Sequence, residues 1–67
     1  IEEALKEYNK LIRRRKHLQE IIFDLEDLSE QHIKNIDIVQ MIGDAYFQQD
    51  ELQKALDYYT KAEEMLG

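Results

Sequence analysis

The sequence predicts an all-α protein, a helical hairpin over residues 36–67 preceded by a long amphipathic helix over residues 1–32. Three observations carry this. Apolar residues recur at steps of three and four along most of the chain, a helical period rather than the alternation of a strand. The 67 residues contain no Pro and only two Gly, so little interrupts a helix. Residues 1–31 contain neither and are rich in Leu, Glu, Lys, Arg, Gln and Ile, mostly good helix formers.

In the first segment one heptad frame fits well. Ile1, Tyr8 and Ile22 occupy one seam position and Ala4, Leu11, Leu18 and Leu25 the other, while Arg15, Ser29 and His32 break the frame. Leu5, Ile12, Ile21 and Leu28 flank the seam, so the apolar face is broader than a two-stranded coiled coil requires. At Arg15-Lys16-His17 nothing stops one helix or caps another. Two structures compete there. In one the chain folds back near Lys16 and makes four helices. In the other, which the missing stop signal favours, residues 2–31 form one continuous helix of about 45 Å at 1.5 Å per residue. Such a helix would recruit a second chain to cover its face.

His32 to Ile36 read as a connector. Asp37 then reads as an N-cap with Gln40 three residues on, and Ile36 is placed to pack on Met41 as a hydrophobic staple. The second helix is expected from about Ile38 to Gln49, with Val39, Ile42, Tyr46 and Phe47 along one side. Gln49-Asp50-Glu51 is the turn, with Asp50 as N-cap and Gln53 as its capping-box partner. The third helix is expected from about Glu51 to Leu66, with Leu52, Ala55, Leu56, Tyr59, Ala62 and Leu66 as its apolar side and Gly67 just past its end. Gly43, Ala45, Ala55 and Ala62 are small enough to let two backbones come close.

The spacing Val39-x-x-Ile42-Gly43-x-x-Tyr46, followed by Ala55-x-x-x-Tyr59-x-x-Ala62, resembles the tetratricopeptide repeat. Gly43, Tyr46, Ala55, Tyr59 and Ala62 match that family's pattern. Val39 stands in place of its Trp, Ile42 in place of its Leu, and Gly67 in place of its closing Pro. Stepping back about 34 residues carries Val39, Ile42 and Tyr46 onto Leu5, Tyr8 and Ile12, and Leu52, Ala55, Tyr59 and Ala62 onto Leu18, Ile21, Leu25 and Leu28. The apolar register survives, but Asn9, Ile21 and Leu28 replace the small residues, which leaves residues 2–35 at best a degenerate repeat. The resemblance implies a fragment of an α-solenoid, a single domain over 1–67. It implies a peptide-binding face at Asp37, Gln40, Asp44, Phe47 and Gln48. That face is acidic with one aromatic and suits a basic or amphipathic segment. Gln40 and Asp44 are wrong for gripping a C-terminal carboxylate.

A chain this short is marginally stable without a staple. It has no Cys, which removes disulfides and thiolate metal sites. No apolar run is long enough to span a membrane and no signal peptide is recognisable, so the cytoplasm is the default expectation. The chain starts at Ile1, which reads as an excised or processed piece. Its charge is uneven. Residues 1–16 hold six basic residues against three acidic, a net of +3. Residues 17–67 hold three against twelve, a net of −9, in a total of −6. A basic end and an acidic end can attract each other between copies.

The run Arg13-Arg14-Arg15-Lys16 winds around most of a helix circumference and has no aromatic platform beside it, so nucleic acid is not an expected partner. His17 with Glu20, and His32 alone, make no recognised metal pattern. Ser29 lacks a base, and Asp24 with Asp27 or Glu63 with Glu64 read as surface charges. No enzyme activity, cofactor, metal or small-molecule substrate is expected. Of the aromatic residues, Phe23 and Tyr58 fall off the main apolar faces and are expected exposed, as interface residues.

These readings predict a protein–protein interaction module that self-associates into a homo-oligomer through Leu11, Leu18, Ile22, Phe23, Leu25 and Leu28. The alternative is a monomeric solenoid fragment that binds a peptide of another protein.

Overall fold

The chain does fold back near Lys16. The computed structural model describes residues 2–67, and its elements are α1 (Glu2–Arg13), α2 (Leu18–Gln31), α3 (Ile36–Gln48) and α4 (Leu52–Leu66). The expected continuous helix is therefore two helices, and Ile1 of its seam lies outside the described residues. The break uses backbone chemistry that no Gly or Pro announces. Arg15 adopts a left-handed φ of 57°. The Lys16 N–H donates to the Leu11 carbonyl and the Arg15 N–H to the Ile12 carbonyl, each at 3.0 Å. This pair of bonds is a Schellman closure, with Arg where Gly is usual. His17 is also left-handed, at φ 55°, and its carbonyl accepts the Ile21 N–H at 2.9 Å to start α2.

Burial explains why the chain tolerates this. A left-handed non-Gly residue costs about 1–2 kcal/mol, and burying one large aliphatic side chain returns roughly 1.5–3 kcal/mol. Folding back buries Leu5 and Ile12 of α1 together with Ile21, Ile22 and Leu25 of α2. A single long helix could not pack its first half against its second. Tertiary burial outweighs local strain.

The second turn closes in the same way. Asp50 has φ 63°, the Glu51 N–H donates to the Tyr46 carbonyl and the Asp50 N–H to the Phe47 carbonyl, each at 3.0 Å. Asp50 therefore ends α3 rather than capping α4, and Gln53 bonds Asp57 at 3.1 Å instead of the turn. The N-cap of α3 is Asn35, whose Oδ1 accepts the Ile38 N–H at 3.3 Å, and Asp37 sits inside the first turn. In the repeat register α1 stops one residue earlier than α3, and His17 is the extra turn residue.

The four helices make a slab of 32 × 27 × 15 Å. α3 is the centre and packs on all three others, while among the described residues the backbone of α4 approaches only α3. Leu25, Ile38, Ile42 and Ala45 are fully buried. The α3–α4 hairpin closes on small residues, as expected. Ala55 and Ala62 are buried, and a Cβ placed on Gly43 would lie 2.7 Å from Cε1 of Tyr59.

Several residues are not where the sequence reading put them. Ile22 and Leu25, expected to meet a second chain, are core residues of this one. Leu11, Leu18 and Leu28 are half-buried and packed against the same core. Tyr58, expected exposed, stacks on Tyr46 with ring centroids 5.5 Å apart. Phe23 is exposed, as expected. Leu52, Leu56 and Leu66, placed on the apolar side of the last helix, are 59%, 58% and 69% exposed. Among the described residues no helix is long and apolar enough to cross a membrane.

Candidate functional site

Two surfaces among the described residues combine apolar side chains with a regular helical row. The first is a groove of about 400 Å³ between α1 and α3. Its walls carry Glu2, Lys6 and Asn9 from α1 and Asp37, Gln40 and Asp44 from α3, over a floor of Leu5 and Met41. Helical spacing explains the α3 side, since Asp37, Gln40 and Asp44 stand three and four residues apart on one face. Three carboxylates against one ammonium make the groove acidic over an apolar base. Asp44 also accepts the hydroxyl of Tyr59, whose ring crosses Gly43 to reach it. Burial first, then this hydrogen bond and the Asp44 charge, push the Tyr59 phenol well above its ordinary range.

The structure thus brings together three of the five residues expected on a peptide face. The other two lie elsewhere. Phe47 is exposed near the C-terminal end of α3. Gln48 accepts the Arg15 Nε–H at 3.0 Å and ties the two turns together. Glu2, Lys6 and Asn9 were not expected in a site. No signal in the sequence could place them there while the first segment read as one straight helix.

The second surface is the outer stripe of α4. Leu52, Leu56, Tyr59, Glu63 and Leu66 advance by four, three, four and three residues. At 3.6 residues per turn they fall within an arc of about 80°. Leu52, Leu56 and Leu66 on it are exposed, and among the described residues no helix covers them.

A tyrosine cluster fixes how the two hairpins meet. Tyr46 of α3 donates to Glu26 Oε1 of α2 at 2.9 Å, and Tyr58 of α4 donates to the same oxygen at 3.5 Å. Lys54 Nζ lies 5.4 Å from the Tyr46 ring centroid. Burial is the main reason the Tyr46 phenol is pushed up to about 12, followed by its bond to Glu26. Burial and the Glu26 charge raise Tyr58 as well. This cluster is structural, a clamp between α2 and the α3–α4 hairpin.

The remaining chemistry-bearing groups are scattered. His17 Nδ1 stands 3.8 Å from Glu20 Oε2 at the surface. The Ser29 hydroxyl donates to its own helix, at the Glu26 carbonyl. Arg13 ends α1, and Arg14, Arg15 and Lys16 form the exposed turn after it. Among the described residues no three His, Cys, Asp or Glu side chains are grouped to hold a metal ion. No family model matches the chain, and neither curated proteins nor solved structures give a match.

Proposed function

We propose that this chain is a cytoplasmic protein–protein interaction module of the tetratricopeptide kind, that it self-associates by helix packing, and that α4 is the surface it uses. The observation that carries this reading is the exposed row Leu52, Leu56 and Leu66 along α4. Exposed apolar rows of this kind mark contact surfaces. The α2 seam is not that surface, because Ile22 and Leu25 are spent inside the chain. Light scattering on a sizing column tests the reading. A mass above 8.1 kDa that falls on dilution supports it, and a constant monomer overturns it.

A second reading has its own support in the groove between α1 and α3. Glu2, Asp37 and Asp44 converge there over Leu5 and Met41, which suits a basic or amphipathic segment of another protein. A Lys-rich amphipathic helical peptide with a fluorescent label is the probe. Binding should weaken with salt and with the pair Asp37→Asn and Asp44→Asn. Binding that ignores both variants would remove this reading.

A further inference from the structure

We infer that copies of this chain stack head to tail, with α1 of one copy seated on the open stripe of α4 of the next. This rests on the self-association proposed above and adds its geometry. The interface between α2 and α3 inside the chain is the template. There α3 covers Leu18, Ile22 and Leu25, and Ile22 and Leu25 are 4% and 0% exposed. The repeat step of about 34 residues carries these three onto Leu52, Leu56 and Tyr59 of α4. Leu56 is 58% exposed where Ile22 is buried. Leu52 and Leu56 repeat two of these positions and stay exposed, while Tyr59 lies over Gly43 of its own chain.

The covering face is also present twice. On α3 it is Ile38, Ile42 and Ala45, which join the core cluster with Ile22 and Leu25. The same step back gives Ala4, Tyr8 and Leu11 on α1. Ala4 is exposed, while Tyr8 and Leu11 are half-buried with one side against the chain's own core. Charge favours the same register. In the chain Gln49 of α3 bonds Gln19 of α2 at 3.2 Å. The repeat step places Arg15 of one copy against Gln53 of the next, beside Asp50, Glu51 and Asp57. The basic turn of Arg13 to Lys16 forms no ion pair among the described residues, and in the stack it meets the turn before α4, where Asp50 stands beside Glu51, which is itself paired with Lys54 at 3.9 Å. Such a contact is heterologous, so each copy keeps one free face at each end and the assembly grows beyond a dimer.

Two end-blocked variants test this, Leu56→Glu on α4 and Ala4→Arg on α1, with Leu52→Glu replacing Leu56→Glu if that variant loses helicity by circular dichroism. Wild type should gain mass continuously from micromolar to millimolar protein and lose it as salt is raised. Each variant alone should be a monomer. Their equimolar mixture should give a dimer that stops there, because one unblocked α1 and one unblocked α4 remain to pair. If Leu56→Glu is monomeric but Ala4→Arg still dimerises, α4 pairs with α4 and the head-to-tail geometry is wrong while self-association stands. If wild type is a monomer throughout, self-association itself fails, and this inference with it.

Discussion

Gly43→Ala is expected to destabilise the protein, although it replaces the poorer helix former with the best. A Cβ at this position would lie 2.7 Å from Cε1 and 2.9 Å from Cδ1 of the Tyr59 ring. The ring cannot simply swing away, because its hydroxyl is held by Asp44 and its body lies on α3. Forcing an extra carbon into a packed contact costs about 1–3 kcal/mol. Replacing Gly by Ala within a helix returns about 1 kcal/mol. Part of the Tyr59–Asp44 hydrogen bond is lost as the helices part, so the net loss is about 1–2 kcal/mol. A chain of this size has roughly 3–5 kcal/mol in hand, and each kcal/mol moves the midpoint by about 4–8 °C. Thermal and urea melts followed at 222 nm read the effect. The decisive comparison is the same substitution in a Tyr59→Leu background. With the ring gone, Gly43→Ala should turn stabilising by about 1 kcal/mol, the propensity term alone. If it stabilises wild type, or has the same sign in both backgrounds, the close approach of α3 and α4 at Gly43 is wrong.

Other perturbations follow from the same packing. Leu25→Ala removes a fully buried side chain and should cost about 2–5 kcal/mol, enough to abolish the cooperative melt. Retained helicity with a changed mass would instead return Leu25 to an intermolecular seam. Asp50→Gly relieves a left-handed residue at φ 63° and should raise stability by up to about 1 kcal/mol. An unchanged or lower midpoint in the melt would show that the turn is not closed by that residue. Alkaline pH should unfold the protein. Tyr46 has its pKa raised from 10.0 to about 12, and Tyr8, Tyr58 and Tyr59 are raised as well. A raised phenol keeps its proton longer in the folded state. Its stabilisation is therefore complete below pH 10, and is lost as pH climbs through 10 towards 12. Urea melts between pH 8 and pH 12 should show this decline, and Tyr46→Phe should flatten it. A flat wild-type profile would mean that the phenols are not held by burial and Glu26.

Most of the secondary structure was legible in the sequence because it is written locally. The three-and-four spacing set α3 and α4, and Gly43, Ala55 and Ala62 set how closely they pair, since a missing side chain acts wherever the backbones cross. The caps were less legible. Asn35 and Asp37 are both good N-cap residues, and only the path of the chain out of α2 chose Asn35. Of the α1–α3 groove, the α3 half could be anticipated at Asp37, Gln40 and Asp44. The α1 half could not, because it depends on the chain turning back.

That turn is where sequence alone failed. Arg14 to His17 carry no Gly, no Pro and no cap, and by propensity the helix runs on. The wide apolar face of residues 1–31 was correctly read as too broad for one neighbour. The sequence determined that this face had to be covered. Only the tertiary structure decided by what, since Leu5, Ile12, Ile22 and Leu25 can bury one another if two residues accept left-handed backbone. Burial of several aliphatic side chains exceeds that local cost, and it is summed over residues no short window contains. The same folding left Leu52, Leu56 and Leu66 of α4 exposed.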